Sequence, residues 1–415
     1  MAANLFTPIL NDRMRSIHFF NGRLLTGEDM TAEQRGQDAV HEFLGQSIGD
    51  GIVRGLEVSI DASTTLATPV VKVTGGVAIN RKGETLYLPS DTLVQLVRSA
   101  DATPPARTLF TACTPPQSGV YVAGAGVYLL TLCSTVAADG SASVSGLGGQ
   151  PSGCNTRFAV DAVQFRLIEL PMADAEMQDI ARLRNTVAYR CFGISSSFAN
   201  DPFGNATTPS TLLDAVRPHS LTDCDIPLAT FYWTATGGLV WADMWSVRRR
   251  TAQGRRGELP IVIEPNLSAS AEAVVLQFQA QARELARTTT ASTTIAKDVF
   301  NYLPPFGLLP LKTSTTERGF DYRRFFDGRT YREPIFVNAA KLRPISENFL
   351  LTAPIDLQHN DEMLWLYRIV QNSLERNRPG ATGPQQYLFF ATGQIPYQGD
   401  AQYNVSYWNY SNYSW

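Results

Sequence analysis

Four histidines, His18, His41, His219 and His359, are the only imidazoles in this chain of 415 residues, and no two stand at metal-ligand spacing. His41 opens "HEFLG", which lacks the second histidine that a zinc-binding helix places four residues on. No nucleophile elbow at a strand-to-helix turn is assigned, no GxxxxGKS/T phosphate loop occurs, and "GAG" at 124–126 lacks the rest of a dinucleotide fingerprint. Asp361 and Glu362 pair two carboxylates, the minimum for glycoside hydrolysis, but they open an apolar run and read more simply as a solvated strand edge. The expectation is a chain without catalytic activity, cofactor or metal, with a polysaccharide depolymerase as the third-ranked reading.

Five cysteines, Cys113, Cys133, Cys154, Cys191 and Cys224, include no CxxC pair, which excludes a zinc ribbon. They read as free, mostly buried thiols in a reducing compartment. The alternative is one disulfide, with Cys133 and Cys154, on either side of a loop, as the natural pair. Arg248, Arg249 and Arg250, with Arg255 and Arg256 beyond, make a local basic cluster. It reads as a solvated turn or a donor of salt bridges to a neighbouring subunit. Net charge is -3 and the isoelectric point about 5.9, so nucleic acid is not an expected partner.

Two pentapeptides match, "FFNGR" at 19–23 and "FFDGR" at 325–329. Each carries a turn dipeptide that tolerates positive φ. They read as one local device used twice, an aromatic pair anchored in a core with the turn and the arginine at its edge. Duplication and a pair of ligand loops are the alternatives. The segment from Tyr397 on, "YQGDAQYNVSYWNYSNYSW", is rich in tyrosine and tryptophan and uncharged after Asp400. Such composition suits an interface. Tyr397, Tyr403, Tyr407, Trp408, Tyr410, Tyr413 and Trp415, with Arg248, Arg249 and Arg250, are the candidate contact residues. The tail is expected to be ordered, as a strand added to another subunit or laid over a domain seam.

The elements that position these residues follow from periodicity. Thr26 and Asp29 form a capping-box pattern, so a helix is predicted from about Gly27 to Gln46, with Met30, Ala39, Val40, Phe43 and Leu44 on one face and Gly49-Asp50-Gly51 ending it. "IVRGLEVSI" alternates as a strand, and 70–89 reads as a meander of short strands. "GVYLLTLC" and "RFAVDAVQFRLIELP" are strands separated by a mobile Gly/Ser-rich loop; 173–190 is a helix; 226–250 is a hairpin turning at Gly237-Gly238. Val274, Phe278, Ala282 and Leu285 stripe a further helix. "FNYLPPFGLLPL" is expected to be neither strand nor helix, whereas "DEMLWLYRIVQN" and "QYLFFATG" read as central strands. The fold class is mainly β with a few helices (α+β), in three regions, 1–110, 111–255 and 256–415. No run of apolar residues is long enough to span a membrane, and no secretory signal is expected.

The stretches "FFNGRLLTGEDMTAEQ", "GIVRGLEVSI" and "VKVTGGVAINRKGETLYLP" resemble the N-terminal module of accessory proteins of phage-tail-like contractile injection systems. Gly75-Gly76 stands where that family more often has Pro-Gly. The hairpin closing in Trp-x-Val-Arg-Arg is similar too. The resemblance implies a structural subunit at the baseplate, spike periphery or fibre. Its expected partners are other particle subunits in a homo-oligomeric, threefold or sixfold arrangement. It would reside in the bacterial cytoplasm during assembly and then in the particle, with release outside the cell left open. A receptor- or glycan-binding fibre tip is the second-ranked function.

Overall fold

The computed structural model of the chain describes residues 16–96 (except 19 and 67), 125–144, 153–194, 211–251 (except 218), 265–311, 318–339, 342, 346, 349, 352–358, 363–370, 387–393, 397–398 and 401–402. The fold is mainly β with a smaller helical share.

Helix α1 (Gly27–Ile48) leads into six short strands, β1 (Gly51–Gly55), β2 (Val58–Ile60), β3 (Val70–Val73), β4 (Gly76–Ile79), β5 (Thr85–Leu88) and β6 (Thr92–Gln95). They form two antiparallel three-stranded sheets, β1-β4-β5 and β2-β3-β6. The expected single strand "IVRGLEVSI" is therefore two, because the backbone turns at Gly55 and at Leu56, which holds φ at +57° while fully buried. A buried β-branched-free Leu in the left-handed region persists only where the surroundings hold it. Arg248 does so, donating to the carbonyls of both Gly55 and Leu56.

The middle of the chain is built on β7 (Gly126–Val144) and β8 (Gly153–Leu170). Two short helices follow, α2 (Asp174–Gln178) and α3 (Ile180–Phe192), then α4 (Leu212–Val216) and the hairpin β9 (Asp225–Thr234) and β10 (Gly238–Asp243). The sheet order is β10-β9-β7-β8, all antiparallel. Where β9 flanks β7, the sheet is buried on both faces. Leu130 and Leu132 face the core of the N-terminal sheets with Ile52, Leu56, Val71 and Leu86, whereas Val127 and Leu129 face Leu183, Val187 and Leu212 of the helices. Residues two apart point the same way along a strand, so alternate positions feed different cores. One core thus joins the first six strands to the middle sheet across residue 110.

Two expectations change here. The Gly/Ser-rich stretch is not a loop over its described length: residues 138–144 continue β7 and pair with 153–159 of β8. The predicted helix 173–190 breaks at Asp179, which ends α2 and caps α3 through its carboxylate.

The last region opens with α5 (Pro265–Ala286) and α6 (Ala296–Val299). It continues through β11 (Tyr302–Leu303), β12 (Phe306–Pro310), α7 (Tyr322–Phe325), β13 (Ile335–Asn338), β14 (Ile355–Asp356), β15 (Trp365–Val370) and β16 (Tyr387–Ala391). Two short strands, β17 (Tyr397–Gln398) and β18 (Ala401–Gln402), close the described chain. The order β12-β16-β15-β13 makes β15 and β16 central, as their apolar density predicts, and β13 runs parallel to β15. "FNYLPPFGLLPL" does form strands. Pro304 and Pro305 separate β11 from β12, and Pro310 sits at the end of a sheet-edge strand, where a missing N–H is tolerated. Val274, Phe278 and Ala282 of α5 are buried, and Phe278 packs against Phe300 and Phe390.

Cys224 is disulfide-bonded, whereas Cys133 and Cys191 are free and buried. The Cys133–Cys154 pairing is thereby excluded, and so is a set composed of free thiols alone. In the β7–β8 register Cys133 stands opposite Gln164 and Cys154 opposite Ser143, far apart along the hairpin.

Candidate interaction surface

The capping box at Thr26 forms as its sequence predicts. The Asp29 amide donates to Thr26 Oγ1 at 3.1 Å, and the Thr26 amide donates back to Asp29 Oδ2 at 3.0 Å. Arg23 adds a bond to Asp29 Oδ1 at 2.8 Å. These bonds, the Thr26 backbone bond first among them, hold the Asp29 carboxyl below its usual range. Gly49, at φ +97°, ends the helix.

Helix α1 then lies on the β4–β5 turn through bare backbone. A Cβ on Gly45 would meet the Gly83 carbonyl oxygen at 2.1 Å, and one on Gly83 would meet the Glu42 carbonyl oxygen at 1.9 Å. Gln46 Nε2 donates to the Lys82 carbonyl at 2.9 Å. The predicted face is split by this glycine-on-glycine seat. Ala39 and Gly45 are the buried residues of α1, while Met30 (50% exposed), Val40, Phe43, Leu44 (57%) and Ile48 look outward. Phe20 and Leu24 (89% exposed), just before the helix, extend the open apolar surface. At about 100° per residue, Met30, Val40, Leu44 and Ile48 fall in one arc of about 80°.

The pattern Gly45-Gln46-Ser47-Ile48-Gly49 also spells GxSxG, which the sequence reading did not assign. It occupies the last turn of a helix rather than a strand-to-helix elbow, and Ser47 Oγ donates to the Leu44 carbonyl at 2.7 Å.

A second open feature is the outer half of the β7–β8 hairpin. Strand β9 pairs with β7 only over Gly126–Cys133. Beyond Ser134, β7 is hydrogen-bonded to β8 alone among the described strands, giving a two-stranded arm roughly 30 Å long. Phe158 and Val160 are exposed on it, and Arg157 lies over the Phe158 ring at 4.9 Å.

The three arginines are not a solvated patch. Arg248 is buried and pins the Gly55–Leu56 bend. Arg249 donates to the carbonyls of Trp245, Ser246 and Arg248 and stacks 4.7 Å over Phe192. Burial pulls its guanidinium down to about 10. Arg250 is the exposed member and pairs with Glu272 at 3.2 Å. Two of the three are internal fasteners, so neither can donate salt bridges to a neighbouring subunit in this fold.

Of the aromatic candidates, Tyr397 lies in β17, its backbone opposite Gln402. Tyr403, Tyr407, Trp408, Tyr410, Tyr413 and Trp415 lie outside the described residues, as do His359, Asp361 and Glu362. The two pentapeptides share a turn but not a burial. Gly22 and Gly328 hold φ +89° and +74°, and each following arginine amide donates to the second phenylalanine carbonyl, at 3.2 Å and 2.9 Å. Phe325 and Phe326 are fully buried, whereas Phe20 is 59% exposed, so the expected core anchor holds at the second copy and fails at the first.

The buried charges behind these surfaces are consumed internally. Asp243 accepts from Arg184 Nε at 2.7 Å, Gln277 Nε2 at 3.0 Å and the amides of Trp245 and Ser246. Arg184 also binds Glu284, and Tyr302 donates to Gln277 Oε1 at 2.6 Å. Asp225 is satisfied likewise by Thr131, Thr222 and Arg166. Among the described residues no three His, Cys, Asp or Glu side chains gather as a metal site. No described helix is long and apolar enough to cross a membrane. No model of a known protein family and no curated protein matches the chain.

Proposed function

We propose that this chain is a non-enzymatic structural subunit of a phage-tail-like contractile injection particle, working at the baseplate, spike periphery or fibre through contacts between subunits. One observation carries the assembly part: an N-terminal helix turns an apolar arc outward while glycine contacts hold its other side to the protein. A lone soluble chain rarely leaves such a surface uncovered. The two-stranded arm points the same way, since a ribbon of two strands is marginal in water and gains from a covering partner. The internal use of Asp243, Asp225, Arg184 and Arg166 supports a scaffold rather than a reactive centre. The choice of particle rests on the motifs "FFNGRLLTGEDM", "GIVRGLEV" and "VKVTGGVAINRKGETLYLP".

The test is to purify particles from the producing cell by sedimentation and identify their subunits by mass spectrometry, with and without this gene. The chain should sediment with sheath and tube proteins, and its loss should leave incomplete particles. Complete particles lacking the chain would overturn the proposal. Complete particles that no longer attach to target cells would favour the fibre-tip function instead.

A further inference from the structure

Strand β8 ends the order β10-β9-β7-β8, so among the described residues no strand lies along its outer edge. Over 157–163 its backbone bonds there to β7 alone. Such an edge is a template for one more strand. The side chains on it specify which one. Residues 157–161 are all exposed, with Arg157, Ala159 and Asp161 on one face and Phe158 and Val160 on the other. Laid antiparallel against itself about Ala159, the segment is self-complementary. Arg157 falls opposite Asp161 of the second copy, Asp161 opposite its Arg157, and Phe158 and Val160 pair twice across the dyad. Opposite charges and aromatic–β-branched pairs are favourable cross-strand combinations, and like charges are not. Sliding the strands by two residues sets both charges opposite uncharged side chains, and sliding by four sets a charge opposite its own kind. The outer half of β7 offers no such match. Asp139 is its only charge beyond Ser134, and Gly140, at φ +66°, interrupts the register.

From this we infer that β8 pairs with β8 of a second copy of the chain, in an antiparallel ladder centred on Ala159 that joins two four-stranded sheets into one of eight. The inference rests on the assembly-subunit proposal for why the chain has a partner, and it names the surface and the partner. The backbone supplies the attraction, and the Arg157–Asp161 pairs fix the register. Such a contact is isologous and closes at two copies, which sets it apart from the threefold or sixfold arrangement that the resemblance implies.

Sedimentation equilibrium of the full chain tests it with Arg157→Asp, Asp161→Arg and the two combined. The wild-type chain should dimerise, and the dimer should weaken as salt rises. Each single variant sets like charges opposite each other and should raise the dimer Kd at least about tenfold. The combined variant restores opposite pairs and should return the Kd to within about threefold of wild type. Both positions are exposed, so circular dichroism should show one fold throughout. Cross-linking is the second arm. Under mild oxidation Ala159→Cys should give a disulfide-linked dimer above the wild-type background, because the dyad brings the two copies of that position within about 7 Å. Ala162→Cys lies about 20 Å from its own copy and should not. A wild-type chain still monomeric at about 0.1 mM overturns the inference. So does a dimer that both single variants leave intact, a combined variant no tighter than the single ones, or equal cross-linking at positions 159 and 162. Particle purification separates this from the broader proposal. If the chain enters particles but neither dimerises in solution nor cross-links there through Ala159→Cys, only the β8 pairing falls. If it enters none while the solution dimer responds as expected, the assembly proposal falls instead.

Discussion

Gly45 shows how one missing side chain orients a whole helix. Alanine there would gain about 1 kcal/mol of helix propensity. Its Cβ, however, would stand 2.1 Å from a backbone oxygen that belongs to a tight turn and cannot yield cheaply. The clash should win, so Gly45→Ala should lower the melting temperature or release α1 to protease. A stable variant with α1 still protected would show that the helix backs away without cost. Arg248 makes the complementary case. Arg248→Met keeps much of the apolar stem but orphans the Gly55 and Leu56 carbonyls, at ~1–3 kcal/mol for each buried group left unpaired. Denaturant unfolding should show a loss of that order, and an unchanged midpoint would mean the bend holds itself. Cys133 and Cys191 give a chemical reading of burial. Both thiols are pushed up to about 12 by desolvation, from 9.0 when unburied. A thiol raised in the folded state stabilises below the unfolded value and loses that contribution as pH climbs through the folded one. Neither should react with iodoacetamide near neutral pH until the chain unfolds, and stability should fall as pH passes from 9.0 toward about 12. Rapid native labelling of either would contradict its burial.

At the scale of elements, the arm and the helix cap make separate predictions. Residues Gly126–Cys133 of β7 have strand partners on both sides, whereas those beyond Ser134 have only β8. Native-state hydrogen exchange should therefore find the inner half of β7 protected and the outer half opening far more often. Equal protection along the strand would mean that the isolated chain already covers the arm. In α1 the Asp29 carboxyl is depressed by its bonds to Thr26 and Arg23. A depressed acid contributes stability above its ordinary value of 3.8 and loses it as pH falls below that. Exchange protection in the first turn of α1 should drop over that window, and Asp29→Asn should flatten the response. The predicted apolar face of this same helix was legible from spacing, but spacing cannot say which side meets the protein. Two glycines touching 38 residues apart in sequence settled that.

For the whole molecule, the joint between the middle sheet and the last region is polar. Arg184 of α3, Asp243 of β10, Gln277 and Glu284 of α5 and Tyr302 of β11 form one bonded network. Beside it, Ala188, Tyr189 and Ile194 pack against Val274 and Tyr302. Removing one partner of a buried pair leaves an uncompensated charge, at ~3–5 kcal/mol. Asp243→Asn should lower stability by about that much in calorimetry. If it lowers only one of two separable transitions, the regions unfold independently; if it leaves the melt unchanged, the network holds little.

The sequence by itself determined what depends on neighbours along the chain. The Thr26 capping box, the Gly237-Gly238 hairpin, the α5 stripe and the apolar density of β15 and β16 all formed where local spacing placed them, because caps, turns and side-chain periods are set within a few residues. The motifs behind the proposed function are legible at that level too. Tertiary structure alone decided burial. The same Phe-Phe-x-Gly-Arg turn is sunk in a core at Phe325 and Phe326 and open to solvent at Phe20. Arg248, one of a charge cluster in sequence, is buried because the fold brings the Gly55 and Leu56 carbonyls to it, and Arg249 is half-buried against Phe192, which also arrives from elsewhere in the chain. The physical reason is common to both. A turn is a property of four consecutive residues, whereas burial is set by atoms that arrive from elsewhere in the chain.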